Sequence, residues 1–434
     1  MIIKSLWRDT AKMPQFSHLE GDCKTDVLII GGGIAGILCA YRLWQMGVPY
    51  ILVEKEHLCC GTTQNTTAKI SVAHGLIYDK LLQKYGKEYA QMYLNANKSA
   101  FDIYRNLCRD IECDWQFKDS FVYSTTNRQK LEDEVSALEK LGEKVSFCEA
   151  LSIPVNTVGA VCYPNQAQFH PIKFLSQISR NLNIYENTFV REMIGTTAVT
   201  NYGKIRAKKV IAATHFPFIN KHGAYFLKLY QHRSYILALE NACTVDGIYV
   251  DESKKGMTFR NYNDLLIIGG GAHRTGKQGG NWNELREFAR KNYPNAKEKY
   301  HWATQDCMSL DDVAYIGHYS KNTPDFYVAS GFNKWGITGA MVGAMIICDD
   351  ICGIKNDFAP LFNPSRSIFK PQLLLNGFEA TKNLLTPTTK RCPHLGCALK
   401  WNSAEHSWDC ACHGSRFDKN GRVIDNPAND DLKM

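Results

Sequence analysis

Short apolar runs, separated by a helical pattern, organise the N-terminal part of the chain. Residues 25–30 are apolar and rich in β-branched side chains, which predicts a buried strand. Apolar positions at helical spacing follow over residues 37–44, and residues 50–53 predict a second strand. A strand, a helix and a second strand within so short a stretch predict a βαβ unit.

Later segments add further strands and one strongly apolar helix. Residues 209–215 and 265–274 predict buried strands, and residues 233–238 alternate as a strand does. Residues 325–330 predict a strand that leads through a glycine-rich turn into a helix over residues 336–348. These elements predict an α/β fold. No apolar run reaches eighteen residues, so we expect no membrane span.

A glycine motif lies between the first strand and its helix. Gly31, Gly33 and Gly36 form G-x-G-x-x-G, and Glu54 follows the second strand. The glycines allow a tight turn, close approach of a pyrophosphate and helix–strand packing, while Glu54 would accept hydrogen bonds from ribose hydroxyls. A glycine-rich turn without a ligand is the alternative. The predicted dinucleotide contacts are Gly31, Gly33, Ile34, Ala35, Gly36, Glu54 and Lys55.

Three later segments favour FAD over NAD as the dinucleotide. Residues 61–69 are rich in small donors that suit a flavin's phosphates and ring edge, and residues 331–339 form a glycine-rich helix start. The strand over residues 209–215 would close the dinucleotide domain. The predicted flavin contacts here are Thr62, Thr67, Lys69, Gly331, Gly336, Ile337 and Thr338.

A second cofactor is predicted near the C-terminal end of the sequence. Cys392 and His394 lie in one short segment, and Cys410 and His413 lie in another. Two thiolates on one iron and two imidazoles on the other suit a [2Fe–2S] cluster. Because imidazoles are neutral, such a cluster accepts an electron more readily than a four-cysteine cluster. A zinc site is the alternative, and the glycines of both segments favour the iron–sulfur interpretation.

Length, charge and cysteine content limit the possible functions. The 434 residues suffice for several cores. The net charge of +8 is spread along the chain, which favours surface basicity over a nucleic-acid site, so no nucleic-acid partner is expected. Sixteen scattered cysteines, and an N-terminus (residues 1–8) that turns polar before a secretory apolar segment could form, predict a reducing cytoplasm.

These motifs resemble the D-amino-acid oxidase/glycine oxidase superfamily of FAD-dependent oxidoreductases, fused to a C-terminal Rieske domain. The resemblance implies a glutathione-reductase-like FAD domain, an interleaved mixed-sheet substrate domain and a small all-β Rieske domain. It also implies that the backbone of Val190 contacts the adenosine part. The expected FAD segments are residues 20–80, 161–218 and 309–365, the substrate segments are 81–160 and 219–308, and the Rieske domain is 371–434.

Residues 265–271 end in three glycines and suggest a second dinucleotide site. However, Arg274 replaces the last glycine of the motif, and loop-like residues 275–280 follow instead of a helix. We therefore expect a substrate-domain strand that directs His273 and Arg274 towards the flavin. A structural histidine is the alternative for His273, as it is for His170. Electrons would then come from an organic substrate and not from NAD(P)H.

Two charged residues are candidates for substrate chemistry. Asp306 stands where the resembled amino-acid oxidases usually carry an arginine for the substrate carboxylate. An acid there would attract a cationic amine, although a turn-capping role is the alternative. Lys69 would stabilise a reduced, anionic flavin, or it is an exposed lysine. Tyr235 either lines the pocket or lies in the core.

The resemblance carries further expectations for the tail. Cys397 and Cys412 lie where Rieske proteins of respiratory cytochrome complexes have a disulfide. Phe417 stands where high-potential members have a tyrosine, and without that hydroxyl a lower potential is expected. Residues 371–389 leave little room for a further β-subdomain. We therefore expect the tail to dock on the flavoprotein and to depend on its cluster for folding.

The predicted function is an FAD-dependent oxidoreductase for a small amine or amino-acid-like substrate, with hydride transfer to flavin N5. Electrons would pass singly to the Rieske cluster and then to an external acceptor. One alternative is a redox sensor or electron-transfer flavoprotein without turnover. Another is an oxidase in which the cluster is structural.

Overall fold

The computed structural model describes residues 4–219, 222–253 and 255–433. Residues 1–3, which entered the expectation about secretion, lie outside the described residues. Within the described part of the chain the strands form two large sheets and one small C-terminal sheet. None of the described helices is both long enough and apolar enough to cross a membrane.

The strands and helices follow the chain in a mixed order. The strands are β1 (Cys23–Ile30), β2 (Tyr50–Val53), β3 (Lys69–Ile70), β4 (Gln116–Ser124), β5 (Ser146–Cys148), β6 (Gly159–Gln168), β7 (Ile184–Tyr185), β8 (Val190–Ile194), β9 (Thr197–Thr200), β10 (Lys204–Ala212), β11 (Tyr230–Glu240), β12 (Ile248–Asp251), β13 (Thr258–Tyr262), β14 (Leu265–Arg274), β15 (Lys297–Met308), β16 (Tyr315–His318), β17 (Phe326–Ser330), β18 (Leu399–Asn402), β19 (Ser407–Cys410), β20 (Arg416–Asp418) and β21 (Val423–Asp425). The helices are α1 (Leu6–Thr10), α2 (Ile34–Gln45), α3 (Tyr78–Asp110), α4 (Arg128–Lys140), α5 (Pro171–Ser179), α6 (Tyr225–Lys228), α7 (Trp282–Asn292), α8 (Gly336–Ile351), α9 (Ala359–Phe362) and α10 (Pro371–Leu385).

The first sheet has a parallel centre, with strand order β16-β17-β10-β1-β2-β7 and the β8–β9 hairpin continuing from β10. Val27 and Ile29 of β1 face the core that contains α2 and α8, while Leu28 and Ile30 face the opposite core with Val190. Such two-sided burial explains why β1 is a continuous apolar run. The predicted βαβ unit, the strand before α8 and α8 itself are confirmed.

The second sheet is mixed, with strand order β15-β11-β14-β13-β12-β4-β6-β3 and β5 paired to β6. β6 crosses the expected domain boundary at residue 160. It pairs antiparallel with β4 from Gly159 opposite Ser124 to Gln168 opposite Gln116, so the whole strand belongs to the second sheet. The expected boundary is corrected accordingly, because this ladder continues to Gln168. The remaining domain division stays a prediction.

The tail contains a small antiparallel sheet, β18-β19-β20-β21, preceded by α10. Its core is limited, and α10 packs against it through Ala380. The helix is an addition to the all-β domain expected from the sequence. The buried apolar residues of this core are Cys392, Cys397, Leu399, Cys410, Cys412, Phe417, Ala428 and Leu432.

Candidate functional site

A cavity of about 1610 Å³ is lined by residues of both large sheets and of the tail. Residues of the turn after β1 line it, as do residues of β11 and β15. The tail contributes residues such as Glu405, Arg416 and Asn426 to the wall. The cavity is therefore shared by all three parts of the chain.

The glycine turn is shaped by close backbone contacts. Gly31 has φ +111°, and a Cβ there would lie 2.6 Å from the carbonyl oxygen of Ala213. A Cβ on Gly36 would lie 1.9 Å from the carbonyl oxygen of Gly31, so α2 packs directly on the turn. Gly33 lines the cavity, and a Cβ there would reach 3.2 Å from Thr63 Oγ1. This narrow backbone cradle fits the pyrophosphate of a dinucleotide.

Glu54 follows β2 at the edge of the same turn. Its carboxylate accepts hydrogen bonds from the N–H groups of Gly32 (2.6 Å) and Glu56 (3.1 Å), and it lines the cavity. Burial raises the pKa of Glu54, while these two N–H groups oppose that effect. An acid so placed suits the ribose hydroxyls that the sequence motif predicts.

Most of the predicted FAD contacts are brought together around this cavity. Thr338 is not among the lining residues, but its Oγ1 lies 3.0 Å from Nε2 of His74, which is. Gly36 and Gly331 do not line the cavity either. The predicted contacts that do line the cavity are Gly31, Gly33, Ile34, Ala35, Glu54, Lys55, Thr62, Thr67, Lys69, Val190, Gly336 and Ile337.

Lys69 and Asp306 both face the cavity. Lys69 is buried, which excludes the exposed alternative, and burial together with Arg260 and Lys334 lowers its pKa to about 7. Asp306 lies within β15, opposite His232 of β11, which excludes a role as a turn cap. Burial raises the pKa of Asp306, whereas the surrounding cations oppose the rise.

The strand β14 forms as predicted, but the expected direction of its last residues is wrong. His273 does not line the cavity and instead stacks on Tyr235, with ring centroids 5.8 Å apart. Arg274 donates hydrogen bonds to the carbonyl oxygens of Ala411 and Cys412, both at 2.9 Å. Because the tail docks against the end of β14, Arg274 contacts the tail and not the flavin site. Tyr235 is buried and lines the cavity.

His170, the other weak candidate, has a structural role. Its Nδ1 accepts a hydrogen bond from the N–H of Lys173 and so caps the start of α5. Its Nε2 lies 2.9 Å from Oγ1 of Thr10. The structural alternative for His170 therefore holds.

The four predicted cluster ligands converge in the tail. A hydrogen bond from the Cys410 side chain, with help from the N–H groups of His394 and Leu395, lowers the pKa of Cys392 to about 7. The rings of His394 and His413 have centroids 5.0 Å apart. Nδ1 of His413 is buried and has no hydrogen-bond partner among the described residues. Two thiols and two imidazoles so arranged fit a Rieske-type [2Fe–2S] cluster.

Cys397 and Cys412 are joined as a disulfide between the two cluster-binding segments. The sulfurs of Cys397, Cys410 and Cys412 also lie within 4.8 Å of one another, a spacing that a metal ion could use. Because the sulfurs of Cys397 and Cys412 are bonded to each other, these two cysteines do not act as iron ligands. Cys410 therefore belongs to the ligand set with Cys392, and the disulfide supports the loops.

The second cluster-binding segment docks on the cavity wall through two buried glutamines. Gln305 lines the cavity, and its Nε2 donates a hydrogen bond to the carbonyl oxygen of Gly414 (2.9 Å). Nε2 of Gln231 donates to the carbonyl oxygen of His413 (2.9 Å), while its Oε1 accepts from Nε2 of His215 (3.1 Å). Gln305 thus joins the cavity to the cluster segment directly, and Gln231 does so through His215.

A buried ion-pair network joins the tail to the second sheet. Arg416 donates to Glu405 (2.9 Å), Asp409 (3.0 Å) and Asp425 (3.0 Å), and Arg233 of β11 pairs with Glu405 as well. Attraction to these acids outweighs the effect of burial and raises the pKa of Arg416. The network holds the tail against the cavity with paired charges.

None of these docking residues was predicted from the sequence. Gln231 and Arg233 are buried polar residues two positions apart on β11, and both point to the tail side. A buried strand that carries polar residues at every second position is a signal that one face meets polar groups. No comparable local pattern marks Glu405 or Arg416.

Two family models match the chain. The model described as FAD dependent oxidoreductase (DAO) matches residues 26–349. The model of the Rieske [2Fe-2S] domain matches residues 371–434. Together they cover both parts whose geometry fits a cofactor.

Individual proteins agree with these matches. The Rieske 2Fe-2S iron-sulfur protein YhfW of Bacillus subtilis (strain 168) is 31% identical, over 99% of this chain and 97% of that protein. The tail is similar to the cytochrome b6-f complex iron-sulfur subunit of Prochlorococcus marinus (strain MIT 9211), at 43% identity over 56 residues, which is 13% of this chain and 30% of that protein.

Solved structures share the fold of the larger part. L-proline dehydrogenase from P. horikoshii has a TM-score of 0.66 at 18% identity, covering 80% of this chain and 98% of that one. Glycine oxidase from Geobacillus kaustophilus has a TM-score of 0.66 at 16% identity, covering 79% and 99%. The chain therefore belongs to the FAD-dependent oxidoreductase family of the DAO type, binds FAD, and carries a C-terminal Rieske domain that binds a [2Fe–2S] cluster.

Proposed function

We propose that this enzyme oxidises a small amine or amino-acid-like substrate and passes the electrons singly, through its Rieske cluster, to an external acceptor. The observation that carries the proposal is the docking of the cluster segment on the cavity wall. Gln305 faces the cavity on one side and donates a hydrogen bond to Gly414 on the other. Because one side chain, Gln305, contacts both the cavity and the cluster segment, electron transfer from the flavin to the cluster is favoured over a purely structural role for the cluster.

The charges of the cavity support the substrate class. Asp306 offers a carboxylate for an ammonium group, and Lys69 offers a cation for a carboxylate. Both residues face the same cavity. The two structural neighbours named above are a proline dehydrogenase and a glycine oxidase, and both names indicate amino-acid substrates.

FAD, when bound, supplies a hydride acceptor, and the cluster supplies a one-electron acceptor. Lys69 controls a proton at Nζ, because its pKa of about 7 leaves it charged below that pH and neutral above it. Asp306 orients the amine through its carboxylate. A cytoplasmic location and the absence of a nucleic-acid partner stay predictions from composition.

The experiment is a partial reduction without oxygen. The holoenzyme is given fewer electrons than its flavin can hold, and flavin absorbance and the Rieske EPR signal are followed together. We expect the EPR signal to grow as the flavin bleaches. In His413→Ala, which lacks one iron ligand, the signal should be absent and the flavin should stay reduced. A wild-type cluster that stays oxidised beside a reduced flavin would overturn the proposal and favour the structural or sensory alternatives.

A further inference from the structure

The helix α10 has an inverted distribution of polar and apolar residues. Its buried residues are polar, namely Asn376, Glu379 and Asn383. Its large apolar side chains are exposed, with Leu374 77% exposed and Phe378 65% exposed. Surface helices of soluble proteins normally bury the apolar side. We call the exposed side the α10 apolar face; it consists of Leu374, Leu375, Phe378, Leu384 and Leu385.

Polar contacts hold α10 in this orientation. Oδ1 of Asn376 accepts a hydrogen bond from Arg274 (2.8 Å), and the carboxylate of Glu379 pairs with Lys277. The carbonyl oxygen of Asn383 accepts from the N–H of Ala398 (2.9 Å). Rotating the helix about its axis would break these buried contacts. They therefore keep the α10 apolar face exposed to solvent. Large exposed apolar surfaces mark sites of interaction.

The charged residues near this face in the sequence are almost all basic. Between residues 358 and 404 the sequence has a single acid, Glu379, which is buried and paired with Lys277. Lys382 and Arg391 are exposed beside the apolar side chains. A second copy of this chain packed on the same face would bring like charges together. A bilayer surface with anionic headgroups matches both the apolar centre and the basic surroundings.

We propose that the α10 apolar face binds the surface of a bilayer that contains anionic lipids. The helix of 15 residues would lie in the plane of the interface, with its leucines and Phe378 among the upper acyl chains. This contact also brings the cluster to the membrane, because Arg391 donates a hydrogen bond to the carbonyl oxygen of Gly396 in the first cluster segment (2.8 Å). The proposal does not depend on the substrate of the enzyme.

The test is flotation of the holoenzyme with vesicles of phosphatidylglycerol and phosphatidylcholine, compared with vesicles of phosphatidylcholine alone. We expect binding to the anionic vesicles. The variant Leu374→Ser/Leu375→Ser/Phe378→Ser should lower the partition coefficient by about tenfold or more. Lys382→Gln should lower it by about fivefold, because one basic residue near an anionic surface contributes about 1 kcal/mol.

The matched control is Phe117→Ser/Ile194→Ser, which removes apolar side chains of similar exposure, 54% and 59%, from the strands β4 and β8. It should float like the wild type, and all variants should keep their flavin absorbance and cluster signal. Unchanged flotation of the triple variant overturns the proposal. The proposal is also overturned if the wild type is a dimer that does not float and the triple variant is a monomer. That result would assign the α10 apolar face to contact with a second copy of the chain. Equal binding to neutral vesicles would overturn the role of charge.

Discussion

The dinucleotide turn and the cluster segments hold their cofactors by different means. The turn uses backbone and close packing: Gly31 and Gly36 contact neighbouring backbone within the large core of α2 and the parallel strands. The cluster segments use side-chain ligands on loops, above a small core. Local sequence therefore determines the first site almost alone, whereas the second depends on the cluster, a disulfide and contacts from distant strands.

The two sites also differ in the charged and polar groups that surround them. The glycine turn meets the cavity with N–H groups and one acid, Glu54. The tail meets the second sheet through a buried network around Arg416 and through the amides of Gln231 and Gln305. A site held by backbone packing should fail through steric overlap, and a site held by polar docking should fail through loss of a partner.

The largest effect is expected from removing a cluster ligand. Cys410→Ser should abolish cluster binding and unfold much of the tail, because the small core alone gives little stability and metal binding contributes directly to folding. FAD binding should persist. Iron content, flavin absorbance and limited proteolysis of the tail measure these effects. Cys243→Ser, at an exposed free cysteine, is the control and should change none of them. A stable, protease-resistant tail without iron would contradict this account.

Breaking the docking network should come next. Arg416→Met leaves Glu405, Asp409 and Asp425 without their shared cation and should cost about 3–5 kcal/mol in the unfolding free energy of the docked tail. Urea unfolding followed by cluster absorbance measures the loss. Lys355→Met removes an exposed ion pair with Asp357 and should leave stability unchanged. Equal effects of the two substitutions would show that docking does not rest on buried charge.

The same network predicts acid sensitivity. Burial alone would raise the pKa of Glu405, but Arg233 and Arg416 outweigh it and lower the pKa to about 2. A carboxyl group with a depressed folded-state pKa stabilises the fold above its ordinary pKa near 4.5, and this contribution disappears as the pH falls towards 2. Acid titration of the wild type should therefore release the tail in this window. Glu405→Gln should make the docked tail less stable at neutral pH. The stability of this variant should also depend less on pH in the acid range.

Substitutions of two helical glycines test the close packing at the dinucleotide turn. Gly36→Ala places a Cβ 1.9 Å from the carbonyl oxygen of Gly31 and should cost about 3 kcal/mol, with weaker FAD binding. Gly377→Ala is the control, since this glycine is also helical but has no atom within 4 Å of the added Cβ. It should be neutral or stabilise by about 0.5–1 kcal/mol. Thermal unfolding and flavin release report both; a harmless Gly36→Ala would refute the packing argument.

The smallest effect is expected at Phe417, which is buried next to the cluster segments. Phe417→Tyr adds a hydroxyl that can donate to a ligand sulfur, so the midpoint potential of the cluster should rise. Phe417→Leu lacks the hydroxyl and should leave the potential near that of the wild type. A redox titration followed by EPR measures both. A fall in the tyrosine variant would contradict the proposed hydrogen bond.

Much of the fold was accessible from short patterns. The βαβ unit, β10, β14 and the β17–α8 connection follow from apolar periodicity and glycine positions, since these elements are buried on both sides. The boundary inside β6 was not accessible, because strand pairing with β4 decides where that segment belongs. The direction of Arg274 was not accessible either, since its acceptors lie more than 130 residues away in the tail.

The sequence by itself determined the chemistry of both cofactor sites, because their glycines and ligands are close in the chain and their spacing carries the geometry. Only the tertiary structure decided how the two sites meet. Gln231 and Gln305 join the cluster segment to the cavity, and α10 turns its apolar side outward, through contacts between residues remote in sequence. Such contacts depend on which faces the folded strands present to one another, and no local pattern encodes that choice.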